Sequence, residues 1–177
     1  MNIKKIIKFI YKNYKKIRTE KKIKKIYNIK KNAKIKVFII DYDGVLASQN
    51  KKIKDKRIDK WMNKNIKEQK KNRIFILSNL QKSSKKKYIE KKYKNVIFLK
   101  TKRKKPFSDG IYDVFIMTNI SPSKIKIIDD RIFTGIISAV NAKTKYIIIK
   151  KTLYKYKKKI YKRNNYHNNK IHRKYNY

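Results

Sequence analysis

Five short apolar runs, at 37–40, 74–77, 96–99, 125–128 and 146–149, stand out from a lysine-rich background. Each is mostly β-branched or aromatic and nearly continuous rather than alternating, which is how strands covered on both faces of a parallel sheet read. The fourth is broken by Lys126, a sign of shallower burial. Helical stripes lie between some of the runs: Ile58, Trp61, Met62 and Ile66 form one, and Ile111, Val114, Phe115 and Thr118 another. Trp61 on such a stripe is read as core. Strands alternating with helices imply βαβ units, right-handed crossovers and a doubly wound sheet. The expectation is an α/β fold on a five-stranded, mainly parallel sheet, and 177 residues suit one domain with a single core.

The chain carries 54 Lys plus Arg against 11 Asp plus Glu, a net charge of +43. Such a charge attracts nucleic acid, ribosomes and anionic membranes. The competing account is codon bias: Lys, Ile, Asn and Tyr have AT-rich codons, and only 3 Gly are present. That account takes the greater weight, so nucleic acid is admitted as a partner without specificity. Cysteine is absent, which excludes a disulfide scaffold, a thiolate zinc site and a cysteine nucleophile. No run reaches the ~18–20 apolar residues of a membrane span, and the N-terminus has neither a secretory h-region nor a transit-peptide composition. The location expected is cytoplasmic, with a peripheral position on the inner face of the membrane as a variant.

The chain divides into a basic amphipathic segment at 1–34, a core at 35–150 and a basic tail at 151–177. In the first, Ile3, Ile6, Ile7, Ile10, Tyr14 and Ile17 share one helical face. An interfacial membrane helix and a helix packed on the domain are equally good accounts of it. The tail, with His167 and His172, reads as solvated, although its tyrosines could stack on nucleic-acid bases.

With acids so scarce, two pairs of them after apolar runs are informative. Asp41 and Asp43 follow 37–40, and Asp129-Asp130 follows 125–128. Ligands of open parallel sheets bind beyond the carboxyl ends of the strands, so both pairs should face one crevice. Crowded carboxylates repel, and a bound hard cation is the natural compensation; oxygen ligands of this kind suit Mg²⁺. Any one Asp after a strand is usually a cap or turn residue; two clusters weaken that explanation. Ser78-Asn79 after the second run and Lys105 before Pro106 add groups that can hold phosphate oxygens.

The order DYDGVL at 41–46, ILSN at 76–79, KKP at 104–106 and IIDD at 127–130 resembles the four motifs of the haloacid dehalogenase superfamily. The resemblance implies a Rossmann-like three-layer sandwich. It implies Asp41 as a nucleophile that forms an aspartyl-phosphate, and Asp43 as the acid that protonates the leaving group and then deprotonates water. Mg²⁺ would be held by the Asp41 carboxylate, the Asp43 carbonyl and Asp130, with Asp129 assisting. Ser78, Asn79 and Lys105 would bind the phosphoryl group. Across most of its length the chain is similar to the YqeG-type and mitochondrial phosphatidylglycerophosphate phosphatases. It departs from that family at two places. Gly44-Val45 stands where the family commonly has Asn-Thr. In the fourth motif, Asp129 replaces a Gly and Gly135 stands where a later Asp is expected.

Neither 45–73 nor 80–104 has room for a cap domain, which needs some ~50 residues. An open crevice suits a phosphate displayed on something large. The leading expectation, which the resemblance implies, is a Mg²⁺-dependent phosphomonoesterase acting on phosphatidylglycerophosphate, in peripheral contact with an anionic membrane. The alternatives are a capless phosphatase of polynucleotides or phosphoproteins, and a catalytically impaired domain that binds RNA.

Overall fold

In the computed structural model the described residues are 22–29, 32–49, 51–68 and 73–150, together with residues 7, 8, 11, 12, 14 and 17, which are helical. The apolar runs form strands because they have no polar face to give to water. All four residues of Val37–Ile40 are buried, as are all three of Ile74–Ile76.

The strands are β1 (Lys22–Ile23), β2 (Val37–Ile40), β3 (Ile74–Ile76), β4 (Val96–Phe98), β5 (Ile125–Asp129) and β6 (Lys145–Ile149). They make one sheet in the order β1-β6-β5-β2-β3-β4, with every pair parallel. The helices are α1 (Lys56–Glu68), α2 (Ser83–Lys92), α3 (Asp109–Thr118) and α4 (Ile137–Asn141), with a π-helical turn at Ile132–Ile136 leading into α4.

Period-2 alternation sends the strand side chains to two cores. Phe38, Ile40, Ile74, Ile76 and Phe98 meet Ile58, Trp61 and Met62 of α1 and Ile89 of α2 on one face. Val37, Ile39, Phe75 and Ile127 meet Ile111 and Val114 of α3 and Ala139 of α4 on the other. This is the expected three-layer sandwich. Each such side chain contributes roughly 1.5–3 kcal/mol when fully buried. Trp61 lies in the first core, edge-on to Phe38 with ring centroids 5.8 Å apart.

The sheet has six strands rather than five. The extra one, β1, comes from the N-terminal segment and adds to the edge by pairing Lys22 with Ile148 and Ile23 with Ile149. Two residues flanked by lysines carry no strand signal of their own; the edge of β6 supplies it. Further upstream, Ile17 is buried against Ile136, Ile137 and Ile148, and Tyr14 stacks on Phe133. Ile7 remains exposed. Ile3, Ile6 and Ile10, like the tail at 151–177, lie outside the described residues. Among the described residues no helix is long and apolar enough to cross a membrane.

From β2 the chain steps one way to β3 and β4, then returns to β5 on the other side of β2. The direction of winding therefore reverses between β2 and β5. Their adjacent carboxyl ends are the place where ligands bind in sheets of this kind.

Candidate active site

Asp41 and Asp129 sit at that switch point because β2 and β5 are in register up to it. Ile40 pairs with Ile128, and the Asp41 N–H donates to the Ile128 carbonyl at 2.9 Å. Asp41, Asp129 and Asp130 each bring a carboxylate oxygen to within 4.8 Å of the others. Lys105 arrives from the loop after β4, with its Nζ 3.0 Å from Asp41 Oδ1 and 2.5 Å from Asp129 Oδ2.

Asn79 sets the position of Lys105. Its amide nitrogen donates to the Lys105 carbonyl at 3.0 Å, and its amide oxygen accepts from the Lys105 N–H at 2.8 Å. Ser78 is buried and donates to Asp43 Oδ2 at 3.3 Å. Asp43 and Ser78 thus form one hydrogen-bonded pair, and Asp41, Asp129 and Lys105 a second group, with Asp130 beside its aspartates.

Burial, reinforced by the charge of Asp129, raises the Asp41 carboxyl from 3.8 to about 7, against the opposing pull of Lys105. Burial works against the charge on Lys105, but Asp129 and Asp41 together hold its ammonium above its ordinary value. The crowding of carboxylates is therefore real, and one lysine offsets only part of it. Three carboxylates so close, all oxygen donors, form a set that fits a small divalent cation such as Mg²⁺.

Two of the chain's three glycines serve this cluster. Gly44, at φ 96°, turns the loop after β2; a Cβ there would overlap the Asp130 carboxylate. Gly135 lies in the π-helical turn, where a Cβ would overlap the Asp129 carboxylate. The exchange noted in the fourth motif is thereby explained. The carboxylate at 129 occupies the space into which a side chain at 135 would project.

Sequence reasoning missed Lys85 of α2. It is buried, its Nζ lies 2.5 Å from Asp43 Oδ2, and it stands 5.0 Å from the centroid of the Tyr42 ring. The available signal was its spacing: Lys85 precedes the core residue Ile89 by one helical turn, where an apolar residue is the norm.

A parallel sheet of this order, with aspartates at its switch point, has the form that the resemblance to the haloacid dehalogenase superfamily implies. Residues 4–154 match the family described as mitochondrial PGP phosphatase. The chain belongs to that family, and it is a phosphatase, a hydrolase of phosphoric monoesters. No curated protein matches it. Among solved structures it is similar to an uncharacterized protein from Corynebacterium glutamicum, at 19% identity over 66% of this chain and 86% of that one, with a TM-score of 0.46.

Proposed function

We propose that the 35–150 core hydrolyses phosphatidylglycerophosphate to phosphatidylglycerol through a phosphorylated Asp41, with Mg²⁺ as cofactor. The observation that carries this is the convergence of the Asp41, Asp129 and Asp130 carboxylates, with the Lys105 ammonium against Asp41 and Asp129. The Asp41, Asp129 and Asp130 carboxylates, with the Asp43 carbonyl, would hold the ion, and its charge would offset both their repulsion and that of the phosphoryl oxygens.

In the first step an Asp41 oxygen bonds to phosphorus as the bond from phosphorus to the ester oxygen breaks. Asp43 gives that oxygen its proton, so the alcohol leaves neutral. In the second step Asp43, now a carboxylate, takes a proton from water as the water oxygen attacks phosphorus. The bond to Asp41 breaks and inorganic phosphate departs. Lys105 and the Ser78 hydroxyl orient the phosphoryl oxygens and meet the charge that spreads over them. Asn79 acts one step back, through its two hydrogen bonds to the Lys105 backbone.

A lipid-borne phosphate is supported by the family's printed name and by the lack of a cap domain among the described residues. Between β2 and β3 the described residues form only a loop and α1, and between β3 and β4 only α2 and its flanking turns. Ile7 and Tyr11 are exposed beside the exposed Lys8 and Lys12, an arrangement suited to an anionic interface. The test is phosphate release from phosphatidylglycerophosphate in anionic vesicles with Mg²⁺, compared with a 3′-phosphorylated oligonucleotide. The lipid should be the better substrate, and Asp41→Asn should abolish turnover of both. Wild-type rates in Asp41→Asn would remove the nucleophile from the scheme.

A further inference from the structure

Lysine identity alone says almost nothing in this chain, but lysine burial says a great deal. Among the described residues only Lys85 and Lys105 are buried lysines, and both end in the crevice. The other described lysine side chains reach water, as long cationic side chains do when nothing holds them inside. Moving an ammonium out of water is costly unless it is paired. A helix needing only a core residue at position 85 would be served as well by a leucine.

We propose that Lys85 is a positioning residue for the proton transfer to the leaving group, acting through Asp43; the inference rests on Asp43 being the acid, as proposed above. Lys85 Nζ and the Ser78 hydroxyl both donate to the same oxygen of Asp43, Oδ2, at 2.5 and 3.3 Å. Two donors from different elements, one on α2 and one after β3, fix the rotation of the carboxyl group about its Cβ–Cγ bond. The orientation of the other oxygen, Oδ1, is thereby set as well. The lysine is itself held over the Tyr42 ring, and the Tyr42 hydroxyl donates to the Lys51 carbonyl at 2.9 Å, which pins that ring. The chain of contacts runs from the loop wall through Tyr42 and Lys85 to Asp43.

A residue that aims an acid matters in proportion to how much the departing oxygen needs a proton. An alkoxide leaving group needs it; a nitrophenolate does not. Lys85→Met, which keeps the length and removes the charge, should therefore lower kcat for glycerol 3-phosphate by ~10–100-fold, a part of the ~10²–10⁴-fold that general acid catalysis contributes. For 4-nitrophenyl phosphate the loss should stay below about threefold, and Lys85→Arg should recover most of the alkyl-ester rate. A merely structural role would depress both substrates together.

The experiment is a steady-state comparison of the two esters on the full chain with Mg²⁺, with thermal unfolding of each variant alongside. Equal losses on both esters, or none on the alkyl ester, would overturn the proposal. If Lys85→Met fails to fold, Asp43→Asn/Lys85→Met removes the buried pair together. In that protein the preference for the aryl ester should equal that of Asp43→Asn alone, and a larger preference would refute the role. The Asp43→Asn arm keeps the two ideas apart. An unchanged alkyl-ester rate there sinks the acid assignment, while the leaving-group signature of Lys85→Met judges Lys85 separately.

Discussion

Gly135→Ala adds one methyl group, and its effect follows from where that methyl must go. A Cβ at 135 overlaps Oδ2, Cγ and Cβ of Asp129. The backbone has little freedom to withdraw. Ile136 N–H is bonded to the Arg131 carbonyl at 3.2 Å, and the Ser138 hydroxyl donates to the Gly135 carbonyl at 2.7 Å. Asp129 must therefore move, giving up its 2.5 Å contact with Lys105 and the hydrogen bond it accepts from Arg131 N–H at 2.8 Å. Breaking a buried ion pair by losing one partner costs ~3–5 kcal/mol. Because Asp129 is displaced rather than deleted, and Lys105 keeps Asp41, the lower end applies, about 3 kcal/mol. In a chain of this size that lowers Tm by roughly 6–12 °C. Circular dichroism melts give the shift, and calorimetry should show Mg²⁺ affinity falling with it. In an Asp129→Gly background the methyl group meets empty space, so the same substitution should cost at least ~1 kcal/mol less, the signature of coupled neighbours. A Tm within a degree or two of wild type, or additive effects in the double variant, would show that the carboxylate does not fill that space.

Asn79→Ala should destabilise by about 1–3 kcal/mol, because it strips both hydrogen bonds from the Lys105 backbone, and it should lower kcat more than it raises KM; urea unfolding and steady-state kinetics read the two effects. Asp41 gives a pH dependence of defined sign. Its folded carboxyl is raised from 3.8 to about 7, so the metal-free folded chain holds a proton that the unfolded chain has lost, and stability falls as pH rises from about 4 to about 7. Metal-free protein should accordingly melt lower at pH 8 than at pH 5, and the stabilisation by added Mg²⁺ should be larger at pH 8, where the ion meets a carboxylate rather than an acid.

The layers and strand positions were legible because parallel strands have no solvent face, and a continuous apolar run survives even in a lysine-saturated chain. Run ends differed from strand ends by a residue. Leu77 and Leu99 continue the buried path without belonging to β3 or β4. β1 was illegible, since two residues acquire extended structure only from the neighbour they join. In the crevice the aspartates could be read because acids are rare here, whereas Lys85 was hidden by the abundance of its own kind. Gly135 was visible as a departure, but its meaning depends on a carboxylate six residues away in sequence and on the turn that folds back over it.

The pairing of β1 with β6 joins residues 22–23 to residues 148–149, so one edge of the sheet is completed by its first and last described strands. During synthesis, which proceeds N-terminus first, Lys22–Ile23 emerges early and waits for a partner until the ribosome has delivered most of the chain. A nascent chain stopped before Lys145 has β1 but lacks β6, the strand that joins it to β5, and the edge of β5 is left bare, a template for pairing with another chain.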